Sequence, residues 1–285
     1  MKFNKYEDIN LFWNDTKELL EKDEWYNCLM IGNCIEGLEK GINDWFMATI
    51  TDNYNIELIM LYRKPWKLIF YSPTTNYSDE ILEFAASEIY KYDKELLGVN
   101  SEKSVANKFA KYYCNLSNMK YSVHAGLRIL LLENLEDGKL LEDITYRKCT
   151  LNDKDTLIKY IQDFMKEALN EECDYDKAEE KFNKYFEKGY YVLEKDNKIV
   201  CQANISRIMK YGKCVSSVYT PKEERGKGYA YNLIYRISRD LINSGDKYCV
   251  LYTDDSNPIS NHVYEKIGYK RKSDWEDIDF IKNNI

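Results

Sequence analysis

The chain has 285 residues, 44% apolar and 31% charged, with a formal net charge of −7. The acidic balance argues against a general nucleic-acid surface, although a local basic pocket is compatible with it. No run approaches the ~18 uninterrupted apolar residues of a membrane span. The start, Met1-Lys-Phe-Asn-Lys-Tyr-Glu-Asp8, lacks the apolar core of a signal peptide, so the protein is expected to be cytoplasmic, with no membrane partner.

In chain order, helix-like stretches fall at 7–21, 78–92 and 101–114, and strand-like stretches at 45–51, 56–62, 66–71 and 121–132. This describes an N-terminal mixed α/β domain over 1–140, without a glycine-rich turn. A polar, glycine-containing break at 133–142 marks the boundary, and a second domain is expected over 144–285. Ile144 to Cys149 reads as a strand, and Thr150 with Asp153 has capping-box spacing. Leu157, Ile158, Ile161, Phe164, Met165, Ala168 and Leu169 then recur at helical spacing. A second helix over 176–187 ends at Gly189. Three strands follow, 190–193, 199–205 and one ending at Thr220, joined by turns at Asp196-Asn197 and Tyr211-Gly212. A helix over 230–244 buries Ala230, Leu233, Ile234, Ile237 and Leu241 and stops at Gly245. The continuous apolar run 248–253 suits a strand in parallel pairing. A short helix over 258–267 aligns Ile259, Val263 and Ile267, with Gly268 as its stop. Residues 269–281 supply one or two last strands. The fold class is therefore mixed α/β of the α+β type, with a mostly antiparallel meander in the second half.

The eight cysteines form no Cys-x-x-Cys pair, and with two histidines they make no zinc-like cluster. They are expected to be small buried apolar residues.

The most informative segment is Thr220-Pro-Lys-Glu-Glu-Arg-Gly-Lys-Gly-Tyr-Ala230, a glycine turn between a strand and a helix. Such a turn presents backbone N–H groups at the positive end of a helix, where phosphate binds. The P-loop pattern does not match, and the dinucleotide pattern requires glycine at Tyr231. The pattern Arg/Gln-x-x-Gly-x-Gly/Ala matches at every position, Arg225-Gly-Lys-Gly228-Tyr-Ala230. Beyond the next strand, Asn257, a short helix and Tyr264-Glu-Lys-Ile-Gly268-Tyr269 follow in order. With both motifs, residues 144–281 resemble the GNAT (GCN5-related) N-acetyltransferase superfamily. The resemblance implies a central, mostly antiparallel sheet flanked by helices, and it suggests that the N-terminal half is a degenerate copy without the phosphate loop.

The resemblance also implies roles. Arg225, Gly226, Lys227, Gly228, Tyr229 and Ala230 wrap the pyrophosphate of acetyl-CoA, the cosubstrate. Val218, Tyr219 and Thr220 bind the pantetheine arm through their backbone, where an N–H also polarises the thioester carbonyl. Asn257 caps the helix at 258–267, with Pro258 at its first position, and touches the cofactor. Tyr264 is the general acid for the leaving thiolate. Full proton transfer from a phenol of pKa ~10 to a thiolate of pKa ~8.5 is uphill by about 2 kcal/mol, so a hydrogen bond that strengthens as the C–S bond breaks is the useful role. An amine acceptor must lose a proton first, and Asp254, Asp255, Ser216 and Ser217 stay open as bases. His262 faces another side of the helix from Tyr264. Two readings remain: direct acetyl transfer to a small-molecule or peptide amine without metal, or a non-catalytic CoA-binding or sensing protein. The acyl chain length stays open. The N-terminal half is expected to wall off the acceptor side or support a homodimer.

Overall fold

A computed structural model describes residues 1–283, so the last two residues of the expected second domain lie outside the described residues. The chain forms two compact units. The first holds Met1–Ile129, Asp254–Ser256 and the chain from Lys272 onward; the second holds Leu130–Thr253 and Asn257–Arg271.

The elements of the N-terminal run are β1 (Lys2–Tyr6), α1 (Ile9–Leu20), α2 (Cys28–Lys40), β2 (Phe46–Asp52), β3 (Asn55–Tyr62), β4 (Ile69–Tyr71), α3 (Asp79–Tyr92), β5 (Gly98–Glu102), α4 (Lys103–Ser117) and β6 (Met119–Leu132). Strands β1-β2-β3-β4 form an antiparallel sheet. Its inner face, with Ala48, Ile50, Leu58 and Met60, packs on Leu82, Ala85, Phe109 and Tyr113 of α3 and α4. The sequence reading missed β1, β5 and α2. Helix α2 has glycines inside it and no side-chain N-cap, both of which weaken its local signal. Packing is close at Gly37, where a Cβ would stand 3.1 Å from the Trp45 ring. The expected strand at 66–71 shortens to Ile69–Tyr71.

The second run is β7 (Thr145–Lys148), α5 (Lys154–Leu169), α6 (Tyr175–Gly189), β8 (Tyr190–Lys195), β9 (Lys198–Ile208), β10 (Gly212–Tyr219), α7 (Tyr229–Asn243), β11 (Tyr248–Asp254), α8 (Pro258–Ile267) and β12 (Lys270–Lys282). Both runs therefore follow one order, β-α-α-β-β-β-α-β-α-β. Strands β7, β8, β9 and β10 are antiparallel neighbours in sequence, and β11 joins β10 in parallel after α7. Residues 269–281 hold one strand rather than two. Alternation along β9 divides the second unit. Cys201, Ala203 and Ile205 face Leu233, Ile234 and Ile237 of α7, whereas Tyr190 and Val192 face Leu157, Ile158 and Phe182 of α5 and α6. The four α7 side chains Leu233, Ile234, Ile237 and Leu241 are buried, each worth about 1.5–3 kcal/mol against exposure. Ile259 is 78% exposed although it was expected to align with Ile267. A spacing of four residues drifts about 40° per step on a 3.6-residue helix, so positions eight apart diverge.

Asp196 and Asn197 both have positive φ, 50° and 60°, and close the β8–β9 hairpin as the sequence indicates. The polar segment 133–142 lies inside the second unit, where Leu141 N–H donates to Asn232 Oδ1 at 2.7 Å and Arg236 donates to the Leu141 carbonyl at 2.8 Å. All eight cysteines are buried and free. No helix among the described residues is long and apolar enough to cross a membrane.

The expected capping box is present: the Thr150 N–H donates to Asp153 Oδ2 at 2.7 Å. Arg147 grips the same carboxylate with two bonds of 2.7 and 2.9 Å. The arginine pulls the Asp153 carboxyl from 3.8 to about 2. A lowered pKa contributes stability above the unfolded value, and that contribution is lost as pH falls through the folded one. Asp153→Asn is expected to cost about 2 kcal/mol near pH 7. In the wild type the contribution should fade between the ordinary carboxylate pKa of 3.8 and about 2. Urea unfolding of both proteins across this range checks it, and equal stabilities at pH 7 would refute it.

Candidate active site

The site begins where two strands part. β10 and β11 pair only from Gly212–Tyr248 to Cys214–Val250, after which β10 continues without its parallel partner. On the other side, the β9 register runs Ser216–Asn204 and then Tyr219–Gln202. Ser217 and Val218 therefore form a bulge, with Ser217 at φ 53°. The bulge resets the alternation, so Tyr219 joins the α5–α6 core while Val218 packs toward α7. The backbone around Val218 thus has neither neighbour in register, in the middle of a sheet.

Downstream, a single 3-10 turn (Lys222–Glu224) leads into the glycine loop. Gly226 and Gly228 have φ of 77° and 80°. A Cβ at Gly226 would meet nothing within 4 Å, and one at Gly228 only Asn232 Nδ2 at 3.9 Å. The glycines are required by backbone conformation, and the space before them is open. No side chain caps α7, so the N–H groups of its first turn have no intrahelical acceptor. Tyr229 is buried and Ala230 half-buried at that start.

The loop's charged residues are engaged. Arg225 Nη2 donates to Glu167 Oε2 at 2.6 Å and its Nε to the Thr220 carbonyl at 3.0 Å. The guanidinium lies 5.8 Å from the Tyr219 ring centroid. The Tyr219 hydroxyl donates to Glu167 Oε1 at 3.3 Å. Lys227 pairs with Glu224 at 2.8 Å. The Thr220 carbonyl is therefore taken, while its hydroxyl donates to the Cys201 sulfur at 3.2 Å. Glu167, on α5, was missed by the sequence reading because nothing local links it to a residue 58 positions away.

Asn257 caps α8: its side chain accepts the Ser260 N–H at 3.1 Å, with Pro258 in the first turn. Tyr264 is 8% exposed and contacts Tyr269 edge to face at 6.0 Å. Burial, with the Cys201 thiol as a lesser influence, pushes its phenol well above 10. Among the described residues its hydroxyl makes no hydrogen bond. It therefore stays protonated across the neutral range and is a donor. Of the residues left open as bases, Ser216 and Ser217 stand at the bulge, Asp254 accepts from Ser256 at 2.7 Å and Asp255 pairs with Arg128. Asp254 and Asp255 belong to the first unit. His262 is exposed. Gln202 and Asn204, fully buried in β9, carry amides into the interior, and the Tyr190 hydroxyl donates to Gln202 Oε1 at 2.9 Å.

In the first unit the corresponding turn, 72–78, consumes its own donors. Ser72 N–H donates to the Tyr77 hydroxyl at 2.9 Å, Asn76 N–H to Ser72 Oγ at 2.9 Å, and Ser78 N–H to Asn76 Oδ1 at 3.2 Å. Ser78 caps α3, whose first turn carries Asp79 and Glu80.

Residues 155–269 match the acetyltransferase (GNAT) family model. Solved structures with this fold include a GNAT-family acetyltransferase from Colwellia psychrerythraea, at 13% identity and TM-score 0.61, covering 99% of this chain and 100% of that one. A GCN5-related N-acetyltransferase from Sphaerobacter thermophilus matches at 12% identity and TM-score 0.62 over 91% of both chains. A Drosophila protein matches at 11% identity and TM-score 0.64 over 99% of both. No curated protein matches the chain.

Because Gly228 needs its backbone conformation rather than space, Gly228→Ala should destabilise the protein by about 1–2 kcal/mol with no steric clash. Chemical denaturation measures this, and an unchanged midpoint would show that the loop relaxes freely.

Proposed function

We propose that the second unit transfers an acetyl group from acetyl-CoA directly to the amine of a small molecule or peptide. The observation that carries this reading is the parting of β10 from β11 immediately before an uncapped glycine loop. An extended arm can add to the open backbone at Val218 and Tyr219 as a strand adds to an edge. The N–H groups from Gly226 to Ala230 suit a pyrophosphate, and the open space before both glycines admits it. A bulge N–H stabilises the oxyanion that forms as the amine attacks. Tyr264 donates its proton toward the sulfur as the C–S bond breaks.

Arg225 acts here as a staple: through Glu167 and Thr220 it fixes the loop against α5 and the end of β10. Asn257 sets the start of α8 and so the height at which Tyr264 stands. The first unit, with the same element order and a self-satisfied turn, is read as a copy that takes no donor.

Thiol release from acetyl-CoA across an amine panel tests transfer. The wild type should turn over, and Tyr264→Phe should lose about 100-fold or more in kcat with donor KM little changed. The raised phenol predicts no fall in kcat from this residue up to about pH 10. Tight CoA binding with no thiol release on any amine would instead favour a binding or sensing protein. Calorimetric titration is expected to give one CoA per chain; two would overturn the reading of the first unit.

A further inference from the structure

The polar segment 133–142 is exposed along most of its length and has little regular structure, yet it is pinned to α7 and to α8. Near its start, the Glu136 N–H donates to the Ile267 carbonyl, at the end of α8, at 2.9 Å. Near its end, Leu141 gives both backbone groups to α7. Its N–H donates to Asn232 Oδ1 at 2.7 Å, and its carbonyl accepts from Arg236 at 2.8 Å. Between these points the segment lies against α7: a Cβ at Gly138 would run into the Tyr231 hydroxyl, with the Tyr235 ring 3.2 Å away. All of these residues belong to the second unit.

Asn232 is the joint between this segment and the glycine loop. Its side chain is buried, with 3% exposure. While Oδ1 accepts from Leu141, Nδ2 donates to the Gly228 carbonyl at 2.9 Å. The same carbonyl accepts the first helical bond of α7, from the Asn232 N–H at 3.1 Å. A trans peptide is planar, with its C=O and N–H pointing in opposite directions. Holding the Gly228 carbonyl twice therefore sets the direction of the Tyr229 N–H, which belongs to the same peptide. That N–H is one of the first-turn donors that a helix leaves without an intrahelical acceptor. A side-chain amide suits the joint, because one short group offers an acceptor to one neighbour and a donor to the other.

We propose that Asn232 is a positioning residue for the pyrophosphate of the donor, with segment 133–142 as the brace behind it. Asn232 aims the Tyr229 N–H by fixing the Gly228 carbonyl, and Leu141 keeps the Asn232 amide from turning. The proposal rests on the donor reading above, and its test reads binding rather than turnover.

Asn232→Leu keeps a buried side chain of similar size and removes both side-chain bonds. By calorimetry, CoA should bind the variant about tenfold more weakly than the wild type. Pantetheine, which lacks the pyrophosphate, should bind both alike when titrated to millimolar concentration and followed by NMR. If Asn232→Leu impairs folding, Gly138→Ala displaces the brace from Tyr231 instead, and should give a smaller loss confined to CoA. A wild type that does not bind CoA would overturn the donor reading, and this proposal with it. A wild type that binds CoA no more tightly than the variant, or a variant that weakens CoA and pantetheine by the same factor, would overturn the positioning role alone.

Discussion

The separation of β10 from β11 after Cys214 and Val250 is the constraint on which the second unit is built. A strand inside a sheet normally satisfies its backbone on both sides, and leaving it unpaired away from water is costly. Here the bulge at Ser217 turns β10 away at a non-glycine residue with positive φ, a conformation that itself costs about 1 kcal/mol or more. The surrounding elements hang on the parted strands. β10 runs into the glycine loop, α7 returns the chain in the parallel sense to β11, and β11 delivers α8 with Tyr264. On the proposed reading this gap takes a strand-like ligand, with the glycine loop and Tyr264 following it in sequence.

The two element runs show how little of the fold is needed to change its chemistry. In the first unit a single parallel bridge joins Leu68, just before β4, to Val99 of β5. There the next turn is Ser72 to Ser78, and hydroxyl and amide side chains meet its N–H groups. In the second it is Pro221 to Gly228, where no side chain caps the helix. Glu80 adds negative charge at the helix start of the first unit, beside Asp79 paired with Lys108 at 2.9 Å, and negative charge there disfavours a phosphate. Same order, opposite electrostatics: side-chain hydroxyls close one turn and glycines open the other.

Much of the second unit is legible in the sequence because its signals are local. A glycine pair, an Asn-Pro cap, a capping box and an Asp-Asn turn each report a backbone requirement within a few residues. The apolar faces of α5 and α7 report burial by their spacing. The bulge leaves no such mark, since Ser216-Ser217 reads as ordinary strand, and the parting of β10 from β11 is a property of two segments far apart in sequence. The burial of Gln202 and Asn204 is not legible either. They alternate with Cys201 and Ala203 along β9, and both amides are fully buried, which nothing local in the sequence reports. The engagement of Arg225 by Glu167 is similarly invisible, because it is set by where α5 ends.

That engagement changes what the glycine loop can do electrostatically. Arg225 and Lys227 look like a positive rim in the sequence, but Glu167 and Glu224 meet them at 2.6 and 2.8 Å. Paired charges of this kind cancel over a distance comparable to their separation, and salt screens what remains beyond about 10 Å. What survives is the field of the unpaired N–H groups and the α7 dipole, equivalent to about half a charge and confined to the first turn. In a protein of net charge −7, such a cradle has little reach to draw an anion from solution. On the proposed reading it selects by contact, through N–H groups held in place by two glycines and by an arginine whose guanidinium is tied to Glu167 and the Thr220 carbonyl.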